Sequence, residues 1–259
     1  MFYTEKKYRI HPVLLVLFFA GILTSCSQKQ YVIADIQSSR ILMDSIWDNK
    51  ISPKTQELVA KYKIQLETQM NEVIGEAART MKASIPQSLL TNLTSDAMKQ
   101  YGEKYSGQPV DFAVCNVHGH RSVLAQGPIT VGNMFEVYSF DNLLVVLELD
   151  GKSVTELFGY YASNEGEGVS SDVQLRIRNK KIASLTVGGK QVENDRIYRI
   201  ATLDYLADGN SGMTALTKAK KTISTGITLR DVMIDYVRKC TAAGKNIDSN
   251  PDSRIIIEN

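Results

Sequence analysis

The sequence is poor in cysteine, histidine and tryptophan, with three, three and one of these residues in 259. Two of the cysteines, Cys115 and Cys240, lie far apart and inside apolar segments. Buried free thiols are the expected state of such cysteines, and a disulfide between the two is the alternative. The apolar fraction of 43% is ordinary and predicts a globular domain with a core.

The sequence also lacks an excess of charge after its first residues. Removing residues 1–25 takes away three basic residues (Lys6, Lys7, Arg9) and one acidic residue (Glu5), which leaves 27 of each sign. A neutral domain has no electrostatic footprint for duplex nucleic acid or for a membrane surface, so any phosphate site must be local. No apolar run is long enough for a typical transmembrane helix.

Motifs of several enzyme classes are missing as well. The sequence contains no G-x-x-x-x-G-K-[ST], G-x-G-x-x-G or G-x-S-x-G pattern. Ser211 follows a glycine-containing turn, but Met213 leaves the last pattern incomplete, so Ser211 is interpreted as a turn serine. His118 and His120 are two imidazoles without clustered carboxylates, which is too few ligands for a metal site, and we expect neither a metal nor a cofactor in this chain.

The first 25 residues have the pattern of a secretory signal peptide: basic residues, then the apolar run Val13–Leu23, then small residues. The ending Leu23-Thr24-Ser25 before Cys26 resembles the lipobox of bacterial lipoproteins. That resemblance implies export, cleavage and lipid anchoring at Cys26 to a bacterial membrane, on its periplasmic or cell-surface side. A simple secretory signal with a chance cysteine is the alternative.

Residues 26–52 are predicted to be a lipidated tether with short strands, and residues 53–259 to be one domain. Apolar residues at helical spacing predict four helices: from Pro53 to near Gly75, from about Ser88 to Tyr105, from about Val154 to Ser163, and a last one capped by Thr228. Compact apolar or alternating runs predict strands at Asp111–Cys115, at Leu143–Leu149 before an Asp150-Gly151 turn, over Val173–Thr202 with turns at Asn179-Lys180 and Gly188-Gly189, and at Arg254–Ile257. This mixture predicts an α+β fold with mixed sheets flanked by helices.

Three stretches of the sequence carry a family resemblance. They are Q-S-L-L-T-N-L…D-A-M within 87–98, N-V-H-G-H-R…G-P-I-T…S-F-D-N within 116–142, and Y-R-I-A-T-L-D-Y-L-A-D-G-N-S-G at 198–212. In order and spacing they resemble the motifs E-S-x-L-G-N-L…D-A-M, N-x-G-G-x-R…G-x-I-T…P-F-x-N and Y-x-V-A-x-x-x-[FY]-x-A-x-G-G-D-G. These belong to the 5′-nucleotidase C-terminal (substrate-binding) domain family, and the resemblance covers Pro53 to Ile257.

The resemblance implies a nucleotide or nucleoside site with two aromatic residues. Phe140 and Tyr205 stand at the positions that stack the base in this family, and such stacking is worth about 1 to 3 kcal/mol per base. The alternative is that both are core aromatics. Asn142 suits a hydrogen bond to the edge of the base. Arg121 can present a guanidinium fork to a phosphate or carboxylate, with a surface salt bridge as its alternative.

Asn116, Gly119 and Gly209 complete the expected substrate-binding residues, Asn116 mainly as the residue that orders its loop. The sequence departs from the family pattern nearby, because His118 replaces a glycine, and Asn210 and Ser211 replace a glycine and an aspartate. The basic residues that the family offers before its first motif have no match in register, although Arg79 and Lys82 lie close.

Relatives of this domain follow a metallophosphatase half, in which two metal ions activate water. Residues 27–52 contain no histidine and leave no room for that half. We therefore expect the chain to be inactive alone and to act as the recognition domain of a split 5′-nucleotidase-type phosphohydrolase in nucleotide catabolism, with the divalent metal in a separately encoded metallophosphatase subunit. The alternative is a stand-alone nucleotide- or nucleoside-binding lipoprotein with no catalytic role.

Overall fold

The computed structural model describes residues 38–40 and 52–258. The predicted signal peptide, Cys26 and nearly all of the predicted tether with its short strands lie outside the described residues. In the part of the chain that is described, no helix is both long enough and apolar enough to cross a membrane.

The described helices and strands alternate irregularly along the chain. The helices are α1 (Pro53–Met70), α2 (Leu89–Ser106), α3 (Val131–Val137), α4 (Gly151–Ser163), α5 (Asp204–Ala207) and α6 (Leu229–Ala242). The strands are β1 (Val73–Ala77), β2 (Phe112–Cys115), β3 (Gly127–Thr130), β4 (Leu143–Asp150), β5 (Gly168–Val169), β6 (Val173–Arg178), β7 (Lys181–Val187), β8 (Lys190–Gln191), β9 (Ile197–Leu203), β10 (Lys221–Thr228) and β11 (Ile255–Glu258).

A five-stranded sheet with the order β10-β4-β9-β2-β5 forms the centre of the domain. Strand β9 runs parallel to β2 and antiparallel to β4. A second sheet has the order β11-β6-β7-β8, and β1 pairs with β3. Helix α2 packs on β2 and β5, and α4 contacts β4, β6 and β7. These mixed sheets with packed helices confirm the predicted α+β class.

Local sequence explains the elements that were predicted correctly. Ser88 caps α2 by accepting a hydrogen bond from the Thr91 amide, and Thr228 caps α6 in the same way. Strand β2 is buried along its whole length, whereas β6 alternates buried and exposed residues. Cys115 is buried, Cys240 is half-buried and both are free thiols, which confirms that prediction.

Two element boundaries are wrong in the sequence prediction. Helix α1 ends at Met70, and Gly75 lies in β1, where the segment pairs with the distant β3. The apolar residues Leu58, Tyr62 and Leu66 of α1 are exposed, and only Met70 at its end packs against the core. Asp150 and Gly151 do not form a turn, because the Asp150 carboxylate accepts a hydrogen bond from the Ser153 amide and caps α4.

Arg254 joins three parts of the domain. Its buried guanidinium donates to the Val169 carbonyl (2.7 Å), to Asp96 (3.1 Å) and to Asp252 (2.6 Å). Asp96 lies in α2 and Val169 in β5, so the start of β11 is fixed against both elements. A guanidinium can make all three contacts at once because its donors form a rigid fork.

Replacement of Arg254 by methionine is expected to lower the free energy of unfolding by about 2–4 kcal/mol, because it leaves two carboxylates and a carbonyl without their donor. Urea denaturation measures this change. The matched control is Arg79→Met, which removes an ion pair of half-exposed side chains with Asp248 and is expected to cost less than about 1 kcal/mol. Equal losses in the two variants would contradict the structural role of Arg254.

Candidate ligand-binding site

Strand directions bring three segments of the second and third motifs to one edge of the central sheet. Because β2 and β9 are parallel, the segments that follow them, 116–121 and 204–212, leave the sheet on the same side. Strand β4 is antiparallel to β9, with Leu144 opposite Leu203, so the segment 138–142 enters the sheet at that edge. A cavity of about 250 Å³ lies between these segments, lined by Asn116, His118, Gly119, Arg121, Phe140, Asn142, Tyr205 and Ser211.

The two predicted aromatic residues are on the surface and face this cavity. Phe140 is 50% exposed and Tyr205 is 43% exposed. The alternative that both are core aromatics is therefore wrong. The guanidinium carbon of Arg121 lies 5.9 Å from the centre of the Phe140 ring. Of the predicted site residues, Gly209 does not line the cavity. It begins the turn that follows α5, where its positive φ of 84° favours glycine.

The segment 138–142, which carries Phe140 and Asn142, is held by the start of α6. The Leu229 amide donates to the Asn142 carbonyl at 2.9 Å. Arg230 donates to the Tyr138 carbonyl at 3.2 Å and pairs with Asp141. The Arg230 guanidinium also lies 4.0 Å from the centre of the Phe135 ring. Phe140 is thus an exposed ring on an anchored backbone.

A buried network supports the segment 116–121. The Val117 amide donates to the Glu167 carboxylate at 2.6 Å. Burial raises the pKa of Glu167, and this hydrogen bond opposes the rise. The His120 ring contacts the Thr94 hydroxyl at 2.9 Å, and Thr94 contacts the Tyr138 hydroxyl at 2.8 Å. Burial lowers the pKa of His120 to about 4, so its imidazole is neutral at pH 7.

Asn116 joins two of the segments. Its amide nitrogen donates to the Ser211 hydroxyl at 3.1 Å. Its amide oxygen lies so close to Gly119 that a Cβ there would approach it to 2.7 Å, which accounts for glycine at that position. Asn210 donates to the Tyr205 carbonyl at 2.8 Å, so the residue that replaces a family glycine holds the Tyr205 backbone.

The basic residues near the first motif do not reach the cavity. Arg79 pairs with Asp248 at 2.8 Å, and Lys82 is exposed away from the lining. The two histidines have different surroundings. His118 lines the cavity, whereas the two ring nitrogens of His120 contact the Thr94 hydroxyl and the Val117 carbonyl. Within the residues that the structure describes, no group of three or more His, Cys, Asp or Glu side chains is placed to hold a metal ion.

The family model of the 5′-nucleotidase C-terminal domain matches residues 69–218. The chain therefore belongs to the 5′-nucleotidase C-terminal domain family, as its motifs predict. The cavity described above lies where segments of the second and third motifs meet at one sheet edge.

Several proteins share this domain. The chain is 24% identical over 217 residues to a 5′-nucleotidase of Vibrio vulnificus (strain CMCP6), which covers 82% of this chain and 38% of that protein. It matches the solved 5′-nucleotidase precursor of Thermus thermophilus with a TM-score of 0.66 and 24% identity, over 80% of this chain and 43% of that one. It matches the NAD nucleotidase of Haemophilus influenzae with a TM-score of 0.61 and 18% identity, over 80% and 41%. The chain spans about two fifths of the length of these relatives, and the structural matches confirm the fold.

Two residues that support the site have no signal in the sequence. Arg230 lies far along the chain from the segment it anchors, and nothing near it marks a contact with Tyr138 or Asp141. Glu167 is one of two glutamates, with Glu165, in a glycine-containing loop, and nothing in the sequence distinguishes it. Both act through folding contacts that only the assembled sheet creates.

Replacement of Arg230 by methionine is expected to speed amide hydrogen exchange of residues 138–142 by roughly tenfold, because the segment loses charge-assisted hydrogen bonds worth about 1.5–3 kcal/mol each. Hydrogen–deuterium exchange with mass spectrometry measures this rate. Arg196→Met is the control, since Arg196 pairs with Asp111 near the other end of β9. Unchanged exchange of residues 138–142 in Arg230→Met would show that the segment does not need this anchor.

Proposed function

We propose that this chain recognises the base and sugar of a nucleotide or nucleoside, and that it is the recognition subunit of a split 5′-nucleotidase-type phosphohydrolase. The observation that carries the proposal is the cavity itself, in which two exposed aromatic rings, an asparagine and an arginine converge from three separate segments. Isolated exposed aromatic rings are ordinary on a protein surface, but two that face one cavity with polar neighbours support a ligand site there.

The chemistry of the lining fits a nucleoside. Phe140 and Tyr205 each offer a π face to a flat heterocycle. The Asn142 amide has both donors and an acceptor, as the edge of a base requires. The polar groups of Asn116 and Ser211 stand beside the rings and suit hydroxyl groups of a sugar. A cavity of about 250 Å³ that opens to the surface leaves room for such a ligand.

In this proposal, the metal chemistry belongs to a separately encoded metallophosphatase subunit, whose divalent ions activate the attacking water. The chain described here lowers the barrier by holding the substrate in position against those ions. Positioning of this kind contributes several kcal/mol when the reacting atoms are aligned. The family membership and the lining residues support the recognition role, and we propose nucleotide catabolism as the process it serves.

We also propose that the mature protein is anchored at Cys26 by lipid to a bacterial membrane, on its periplasmic or cell-surface side. The support is the sequence before Cys26, in which a basic start, an apolar run and Leu23-Thr24-Ser25 follow one another. More than one acyl chain is needed for stable anchoring, and lipoproteins of this kind carry several.

Phe140→Ala and Tyr205→Ala are each expected to weaken nucleoside binding by about 5- to 150-fold, which corresponds to about 1–3 kcal/mol of stacking. Isothermal titration calorimetry with adenosine, guanosine, cytidine and uridine measures the affinities and also identifies the base. Tyr105→Ala is the matched control, because Tyr105 has a similar exposure of 41% but lies outside the cavity. Unchanged affinity in both cavity variants would remove the aromatic clamp.

Cells that express the full chain are expected to incorporate radioactive palmitate into it, and Cys26→Ala is expected to abolish the label and release the protein from the membrane fraction. The reason is that Cys26 supplies the only thiol at the predicted cleavage point. Cys240→Ala serves as a control for thiol loss elsewhere. Label that survives in Cys26→Ala would contradict the anchor.

A further inference from the structure

The cavity is lined by basic side chains and by no acidic side chain among the described residues. Among the described residues that line it, Arg121 and His118 can carry positive charge and none carries a carboxylate. Three carboxylates lie next to the lining without being part of it: Asp141 pairs with Arg230, Asp204 accepts a hydrogen bond from the Tyr205 amide at 2.7 Å, and the largely buried Glu167 accepts from the Val117 amide and interacts electrostatically with His118. The lining therefore favours an anionic ligand group over a cationic one.

Arg121 has no carboxylate partner within residues 52–258, which sets it apart from every other arginine in that range. The others each pair with an aspartate or glutamate: Arg79, Arg176, Arg178, Arg196, Arg199, Arg230, Arg238 and Arg254. Its only described side-chain interaction is with the Phe140 ring, 5.9 Å from the ring centre. Its guanidinium fork is open to a ligand.

His118 is the second group of this kind. The residue is exposed, lines the cavity, and its ring makes no hydrogen bond to another residue of the 52–258 range. The turn that carries it is fixed, because the preceding Val117 amide donates to the buried Glu167 at 2.6 Å. An imidazole with two free nitrogens on a fixed turn, three residues before an open guanidinium, can donate to a phosphate oxygen.

We propose that His118 and Arg121 together bind the phosphate of the ligand, so that His118 makes the domain prefer a nucleoside 5′-phosphate to the unphosphorylated nucleoside. This inference rests on the proposed function for the identity of the ligand. The histidine supplies a second donor where the family pattern has glycine, and it stands in for the basic residues that do not reach the cavity.

The test compares the affinity for adenosine 5′-monophosphate with that for adenosine, alongside the corresponding pairs for the other three bases. Titration calorimetry of the purified wild type, His118→Gly, His118→Gln and His118→Lys gives the ratio of the two affinities. The ratio is expected to fall five- to twentyfold in the glycine and glutamine variants and to recover in the lysine variant. Because glutamine keeps a polar side chain on the turn, a lower affinity ratio in His118→Gln is not explained by unfolding of the turn. Lys82→Ala, which removes an exposed cation outside the cavity, is expected to leave the ratio unchanged.

A second arm uses inorganic phosphate alone, followed by ³¹P line broadening, so that the two proposals can fail separately. Phosphate binding that is lost in His118→Gln, with no nucleoside binding by the wild type, would support the anion site and overturn the nucleoside function. Nucleoside binding with a ratio that is the same in wild type, His118→Gly and His118→Gln would overturn the role of His118 and leave the proposed function intact. Binding of neither probe by the wild type would overturn both.

Discussion

The parallel pairing of β2 with β9 is the constraint on which the site depends. Ala113 lies beside Ala201, although 87 residues separate them along the chain. Both strands end at one edge of the sheet, and β4 starts there because it is antiparallel to β9. This pairing is buried, and Gly102 of α2 packs so closely on Ala201 that a Cβ at Gly102 would approach it to 2.9 Å. A change that shifted β9 against β2 would separate Tyr205 from Arg121.

Polar contacts below the cavity then fix what the strands have brought together. Glu167, Arg230 and Asn210 each hold a backbone group of one site-bearing segment. The aromatic rings remain exposed while their backbones are anchored, so that a ligand does not have to order the loops when it binds. Such preorganisation is what a recognition domain needs, because it turns a modest number of contacts into affinity.

The sequence predicts those features that depend on local pattern. The capped helices α2 and α6, the buried strand β2 and the turns at Asn179-Lys180 and Gly188-Gly189 follow from residues close to one another. The stretch after Met70 could not be assigned in this way, because its pairing with β3 is a long-range contact that overrides helical spacing. The sequence prediction missed strand β10 and helix α3, since β10 has only two apolar side chains, Ile223 and Ile227, with no alternation, and α3 is short.

The candidate site shows the same division. Motif spacing is enough to name Phe140, Asn142, Tyr205 and Arg121, and the structure brings all four to one cavity. It is not enough to find Arg230 or Glu167, which act from elements distant in sequence. Nor does it show that His118 and His120, two residues apart, have different surroundings, because that depends on the turn at Val117–Gly119. The family pattern describes glycine at 118 and so gives no role to a side chain there.

We propose that recognition and metal chemistry reside in different polypeptides. The direct test is release of inorganic phosphate from adenosine 5′-monophosphate by the purified protein with divalent metal, first alone and then with a candidate metallophosphatase subunit from the same organism. We expect no release by this protein alone and faster release by the metallophosphatase when this protein is added, with the gain lost in Phe140→Ala. Phosphate release by this protein alone would contradict the proposed division, and so would a metallophosphatase whose rate does not change when this protein is added.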